Sequence, residues 1–365
     1  MPANIKIALD CRDIIIATTG THTYLSELIT AFNKQHNNQV SFVFIKPFIG
    51  VMPGNNAFAK LIRHFQFFFY KQITLPILTF LNGASVLICT DYVTPVFTPG
   101  FKTIVVFHDA FFWESPEHYH PLWLKLFHLL GVPAAKKADL LIVPTETAKN
   151  SILVYENFDA NKMKVVWEAA KSFHQPNIGP RPFEAPYFLH VGVLEKRKNI
   201  VRLVEAFAQF HAAYPNYKLV LVGNTPVKLQ LNDAPAIEHA IVAYGLQDAV
   251  VRLGYLEADA LATIYSHAFA YCLPSLNEGF GLPVLEAFHF KLPLICANTS
   301  ALPEVAGDAA LFVDPYDPVS LSSAMLQLVE SPQLQAELVQ KGQARQLHFS
   351  WPKAAQEIHD LMKGC

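Results

Sequence analysis

Two carboxylates and two cations in the second half of the chain have the spacing that chemistry would need. Glu278 and Glu286 bracket the stretch EGFGLPVLE, which follows a strand-like run at Phe269–Leu273. A tight turn comes next, and a helix opens near Leu282. Pro283 fits a first helical turn, where its missing N–H would have had no partner. Gly279 and Gly281 let the backbone bend and let a ligand come close. The N–H groups of Phe280, Gly281 and Leu282 then point out of a helix N-terminus, which favours an anion. Side chains on a helix lean toward its N-terminus, so Glu286 aims at the mouth that Glu278 lines.

Two acids would repel a bare phosphate, but they suit a ligand that also carries hydroxyls, because carboxylates accept hydrogen bonds from diols. A nucleotide sugar joins phosphates, a ribose diol and a hexose diol in one molecule. The plainer alternative is that both acids complement the helix dipole, worth about 0.3–1 kcal/mol each. That leaves the glycines and the second acid unexplained. Arg197 and Lys198 lie in GVLEKRKNI, Gly192–Ile200, between a strand and a helix start. Two cations there would meet a diphosphate and neutralise the charge that leaves with it. An exposed basic loop is the bland reading of the same residues.

Elements that would position these groups alternate along the whole chain. In the first half, Ile5–Leu9, Val40–Ile45, Ser85–Cys89, Thr103–Phe107, Asp139–Val143 and Lys164–Trp167 read as strands. Helical patterns fall between them at Thr21–Phe32, Trp123–Lys137 and Glu146–Tyr155. Apolar strands alternating with helices predict parallel sheets covered on both faces, with ligands at the strand C-terminal ends. Those ends carry Thr18–Gly20 and the pair His108–Asp109. Ser172–Pro186, with four prolines and no periodicity, reads as a linker. The rhythm then restarts at Tyr187–Val191 and ends in a short amphipathic helix, Trp351–Lys363.

A chain of 365 residues exceeds one ordinary core and predicts two domains. Only 16% of residues are charged, which excludes disorder, and a net charge of −2 gives no reason to expect nucleic acid. The five cysteines show no CxxC spacing, so neither a disulfide frame nor a zinc site is expected. No signal peptide or membrane span is visible, and a cytoplasmic setting is the expectation. The run AKLIRHFQFFFYKQ, Ala59–Gln72, mixes basic and aromatic residues. It reads as a core helix with exposed basic residues, with a membrane-surface helix as the alternative.

Several motifs together resemble glycosyltransferase family 4, in its bacterial mannosyltransferase-like branch. They are GVLEKRKN, LVG (Leu221–Gly223), PSLNEGFGLPVLEA, LPEVAGDAALFVDP (Leu302–Pro315), VVFHDAFFWESPE (Val105–Glu117) and AAKKADLLIVPTE (Ala134–Glu146). The resemblance implies an α/β fold of the GT-B type, two Rossmann-like domains with parallel sheets facing across a cleft. An acceptor-side domain would span residues 1–172 and a linker 173–186. A nucleotide-sugar donor domain would span 187–348, with 349–365 packing back on the first domain. It also implies retaining hexosyl transfer in polysaccharide biosynthesis, with mannose from GDP-mannose as the preferred donor. The acceptor would be a glycan or a lipid-linked glycan, and peripheral contact with the inner membrane face stays open.

By the same resemblance, Glu278 would bind the transferred sugar and Glu286 the ribose. Phe280, Gly281 and Leu282 would offer N–H groups to sugar and phosphate, and Arg197 and Lys198 would hold the diphosphate. His108 would reach the sugar from the first domain, with Asp109 on the acceptor side. Gly20 would leave room for phosphates, and the loops at Gly223 and Tyr255 would frame the base. The chain departs from relatives at Thr19-Gly20, where many have paired glycines, and at Val193, where a subset has arginine. No metal and no cofactor are expected, because Arg197, Lys198 and a helix N-terminus supply the positive charge. Three readings outside transfer remain: a glycosidase using Glu278 and Glu286 as its carboxyl pair, a non-catalytic sugar-nucleotide sensor, and a sugar-nucleotide epimerase on the same fold.

Overall fold

The computed structural model describes residues 5–363 apart from 17–19, 36–39, 48–53, 55, 174–175 and 227. The chain divides into two compact units, Met1–Glu168 with Ser350–Cys365, and Ala169–Phe349. The first holds β1 (Ile5–Asp10), β2 (Val40–Ile45), β3 (Val86–Cys89), β4 (Lys102–Val106), β5 (Leu140–Val143) and β6 (Met163–Val165). They form one parallel sheet in the order β2-β1-β3-β4-β5-β6. The second holds β7 (Tyr187–Val191), β8 (Lys218–Val222), β9 (Val250–Leu253), β10 (Ala270–Leu273), β11 (Leu294–Ala297) and β12 (Leu311–Val313). Its parallel sheet runs β12-β11-β10-β7-β8-β9. Both units are thus Rossmann-like α/β sheets.

Strands β3, β5, β10 and β11 are buried along their whole length, as strands covered on both faces must be. Phe188, Phe207, Phe210 and Met325 fill one core of the second unit, and Leu87, Phe107, Phe127 and Ile152 one core of the first. Strand order reverses between β1 and β3 in one sheet and between β7 and β10 in the other. Such switch points open crevices at the strand C-termini. They decide where each unit can hold a ligand.

The last helix, Trp351–Lys363, buries Trp351, Ala354, Ala355, Ile358 and Met362, one face at helical spacing. That face lies on the helix Gly20–Gln35, where Trp351 meets the Tyr24 ring edge-on at 5.4 Å and the Gln35 side chain donates to the Pro352 carbonyl. The stretch 173–186, read as a linker, lies instead on the second unit. Phe173 packs on His289 and Phe290, and the Gly179 N–H donates to Thr263 Oγ1 at 2.9 Å. Its prolines fix the backbone without freeing it, since Phe173 and Phe183 anchor it to aromatic partners.

A second difference concerns the aromatic run. Helices Ala57–Phe69 and Leu75–Leu81 are joined by a π turn, Tyr70–Thr74, into one rod. Phe67, Phe68 and Tyr70 face the core, whereas Phe65 and Phe69 are exposed. Among the described residues no helix is long and apolar enough to cross a membrane.

Candidate functional site

The switch point of the second sheet brings the basic loop after β7 against the turn after β10. Leaving Val191, the chain is held by bonds from Gly192 N to the Val222 carbonyl and from Leu194 N to the Asn224 carbonyl. Gly223 has φ +136°, and a Cβ there would lie 2.0 Å from the Gly192 carbonyl oxygen. Glycine at 223 therefore lets two loops touch. Lys196–Lys198 then form a 3-10 turn, and Asn199 takes a left-handed conformation at φ +59°. The Asn199 amide donates to the carbonyls of Pro274 and Pro315, and Leu276 N donates to the Arg197 carbonyl. These bonds clamp the basic loop onto the turn at 274–278.

Arg197, Lys198 and Glu278 meet there. Arg197 Nη1 donates to Glu278 Oε2 at 2.7 Å and to the Asn277 carbonyl at 2.6 Å, while Nη2 donates to Glu195 Oε1 at 2.6 Å. Lys198 Nζ donates to Glu278 Oε1 at 2.6 Å. Burial alone would raise the Glu278 carboxyl, but the Arg197 and Lys198 charges hold it well below the usual carboxylate range. Burial pushes the Lys198 ammonium down against the opposing pull of Glu278. The cations expected on an open lip are therefore already neutralised by the acid expected beside them.

Glu286 has a different partner, the Tyr265 hydroxyl, which donates to its Oε2 at 2.7 Å. Burial pushes its carboxyl up, the Tyr265 bond pulling the other way. Gly281, at φ +99°, caps the helix Leu282–His289 without a side-chain bond. A Cβ on it would meet Leu302 Cδ2 at 2.7 Å. Phe280 is buried and Leu282 opens the helix as expected. Tyr255 is exposed, and its N–H donates to Asn224 Oδ1, while Gly223 N donates to the carbonyls of Leu253 and Gly254. The loops at Gly223 and Tyr255 are thus tied together.

Sequence reasoning missed His190. It is fully buried on β7; its Nδ1 lies 2.9 Å from the Cys272 carbonyl, and Nε2 has no hydrogen-bond partner. Burial, with the Lys198 charge adding to it, lowers its pKa to about 4. The ring is neutral near pH 7, and the carbonyl assigns the proton to Nδ1.

In the first unit, His108 follows β4. Its Nδ1 lies 3.0 Å from Glu168 Oε1 and its Nε2 lies 2.9 Å from the Thr90 carbonyl. Both partners accept, which favours the imidazolium. Burial pulls the pKa down, but the Glu168 bond and charge and the Thr90 bond outweigh it and raise it. Sequence reasoning had His108 reaching for a sugar, yet both of its nitrogens are engaged within its own unit. Asp109 Oδ1 accepts from Phe111 N and shapes the next turn. Gly20 opens the helix Gly20–Gln35, while Thr18 and Thr19 lie outside the described residues.

The raised His108 pKa fixes the sign of a stability test. Stability from the His108–Glu168 pair is fully present below the unfolded value of about 6.5. It is lost as pH rises through the higher folded value. Thermal unfolding of the native chain should therefore show a midpoint that falls across that window. In Glu168→Gln the fall should be shallower. Equal slopes in the two proteins would show that the pair is electrostatically idle.

A second cluster was not visible in the sequence. Lys71, fully buried, is ion-paired with Asp10 at the end of β1 and with Asp91 just past β3. The Tyr70 hydroxyl also donates to Asp10 Oδ1, at 2.8 Å. The π turn brings Tyr70 and Lys71, adjacent in sequence, to the same carboxylate. These groups sit at the β1/β3 switch point. Among the described residues no three His, Cys, Asp or Glu side chains are grouped to hold a metal ion.

Residues 173–345 match the family described as glycosyl transferases group 1. The chain is 28% identical over 273 residues to O-antigen chain mannosyltransferase B of Escherichia coli, covering 72% of this chain and 70% of that protein. It is 28% identical over 253 residues to the O-antigen chain mannosyltransferase RfbU of Salmonella typhimurium, covering 68% and 67%. Its fold is shared with the sucrose-phosphate synthase of Thermosynechococcus elongatus, with TM-score 0.75 over 99% of this chain and 98% of that one at 18% identity. Residues 173–345 thus form a segment that matches the glycosyl transferases group 1 family, and the chain resembles that family there.

Proposed function

We propose that this hexosyltransferase moves mannose from GDP-mannose to a glycan or lipid-linked acceptor in polysaccharide biosynthesis, with retention of configuration and without a metal. The observation that carries the reading is the Arg197–Lys198–Glu278 triad at the β7/β10 switch point. Carboxylate oxygens hold both cations at hydrogen-bond distances that phosphate oxygens can equally satisfy. A donor diphosphate would take over these bonds and turn Glu278 toward the sugar hydroxyls. The Tyr265–Glu286 pair would take the ribose diol. The relatives named mannosyltransferases support the choice of sugar.

In the transfer, the bond from the anomeric carbon to the diphosphate oxygen breaks and its electron pair leaves with the diphosphate. The acceptor oxygen bonds to the same carbon from the same face, and its proton passes to the leaving oxygen. Arg197 and Lys198 stabilise the charge that grows there. The glycosidase reading needs two carboxyls facing one bond. Here Glu278 is taken by two cations and Glu286 by a tyrosine.

A panel of GDP- and UDP-sugars, scored by nucleotide release and thermal shift with and without EDTA, tests the proposal. GDP-mannose should give the largest release and shift, unchanged by EDTA. Release from UDP-sugars alone would overturn the donor. Loss in EDTA restored by magnesium or manganese would overturn the metal-free mechanism.

A further inference from the structure

Strand β7 carries, inside the second unit, a histidine with only one of its two nitrogens engaged. The His190 Nδ1–H donates to the Cys272 carbonyl at 2.9 Å, and the Tyr271 ring stacks on the imidazole at 6.3 Å and 22°. Tyr271 is itself held, since its hydroxyl donates to the Val191 carbonyl at 3.0 Å and accepts from Val191 N at 3.2 Å. The imidazole therefore has a fixed direction. With the proton on Nδ1, the other nitrogen is a lone-pair acceptor. Nε2 is closed to solvent and has no hydrogen-bond partner. Leaving a buried acceptor unmade costs free energy, which points to a donor that arrives in another state of the site.

Gly192 shows which donor can arrive. A Cβ on it would stand 3.4 Å from His190 Nε2, 3.5 Å from Lys198 Cε and 3.8 Å from Lys198 Cδ. The bare glycine thus leaves a gap with the imidazole lone pair on one side and the lysine stem on the other. Nearby backbone donors are already committed, Gly192 N to the Val222 carbonyl and Leu194 N to the Asn224 carbonyl. Lys198 Nζ has three N–H donors, and Glu278 Oε1 takes one of them at 2.6 Å. A ligand entering from water does not meet a nitrogen that water does not touch. The ammonium, one bond beyond Cε, can turn to it on its own stem.

We propose that His190 is a positioning residue for transfer, its Nε2 accepting one Lys198 N–H once the donor diphosphate displaces Glu278. The inference rests on the diphosphate reading of Arg197 and Lys198 and deepens it. One N–H anchored within the loop leaves another aimed at the leaving oxygen, so the charge there is met without a search of rotamers. Burial holds the imidazole pKa down, the Lys198 charge adding to it, so the ring is neutral near pH 7. A neutral acceptor, unlike Glu278, holds the ammonium without cancelling its charge. No proton changes hands.

The test separates the two nitrogens. In His190→Asn the amide nitrogen can keep the Cys272 bond, but nothing replaces Nε2. In His190→Gln the carbonyl oxygen reaches the place of Nε2, and the Cys272 bond is lost. Nucleotide release is measured with the nucleotide sugar that the donor panel selects. His190→Asn should lower kcat about 10- to 100-fold with KM little changed, the loss expected of one hydrogen bond to a charged group. His190→Gln should recover most of that kcat, although its thermal midpoint should be the lower of the two. A histidine that only supports the fold gives kcat following the midpoint, and that order would overturn the proposal. So would wild-type kcat in His190→Asn. Added to Lys198→Ala, His190→Asn should cost less than about twofold more, because it acts through the lysine, and additive losses would overturn it. Should either variant fail to fold, Gly192→Ala decides, its methyl filling the gap at contact distances of 3.4–3.8 Å. It should lower kcat about tenfold or more, and wild-type kcat there would overturn the proposal. Release from no nucleotide sugar, or an unimpaired Lys198→Ala, would instead remove the diphosphate reading, and this inference with it.

Discussion

Lys198→Ala should reduce turnover about 100- to 1000-fold, the loss that follows removal of one donor aimed at developing negative charge, roughly 2.7–4 kcal/mol. Stability should fall much less. Removing one partner of a buried ion pair costs about 3–5 kcal/mol when the other charge is left alone, but Glu278 keeps Arg197 at 2.7 Å. The variant should therefore fold and still bind nucleotide sugar, so the defect should appear in kcat. Single-turnover measurement at saturating donor separates that from weakened binding. A folded Lys198→Ala with near-normal kcat would show that Lys198 only buttresses Glu278.

The placement of these residues shows what the sequence could and could not reveal. The turn at Glu278–Gly281 and the helix from Leu282 were legible because glycine, proline and the apolar period act locally. Strands β7 and β9 were legible from short runs of aromatic and β-branched residues, Tyr187, Phe188 and Val191 in one and Val250 and Val251 in the other, bounded by turn residues. Ion pairing within the triad was not, because residues 197 and 278 meet only through the strand order that places β7 beside β10. The same holds for Asp10, Lys71 and Asp91, spread over some eighty residues and joined by the β1–β3 pairing. His108 was recognised as a strand-end histidine, while Glu168, its partner sixty residues on, was not. The aromatic run was ambiguous because both faces of the helix Ala57–Phe69 carry phenylalanines, the inward Phe67 and Phe68 lying in sequence between the outward Phe65 and Phe69. In the 173–186 stretch, proline content suggested a free linker, but Phe173 packs on His289 and Phe290 and Gly179 N donates to Thr263, partners far along the chain.

The two glutamates should fail in different ways. Glu278→Gln leaves Arg197 and Lys198 close together with no carboxylate between them, and Lys198 is buried. It should lower kcat, since the assigned contact is to the sugar whose geometry changes in the transition state. It should also cost about 3–5 kcal/mol of stability. That cost has a pH signature. The depressed carboxyl contributes its stability above the unfolded value of about 4.3 and loses it as pH falls through the lower folded value. The gap between wild type and variant should therefore narrow on acidification. Glu286→Gln should behave otherwise. Its carboxyl is already pushed up by burial, and an amide oxygen still accepts from Tyr265, so folding should barely change. The proposed ribose contact would be equal in ground and transition states, and its loss should raise KM about 10- to 100-fold, as for a charged hydrogen bond of about 1.5–3 kcal/mol, with kcat little altered. Steady-state kinetics of both variants with the same donor decides. A kcat defect in Glu286→Gln with only a KM change in Glu278→Gln would exchange the two roles, and wild-type kinetics in both would leave the triad a purely structural clamp.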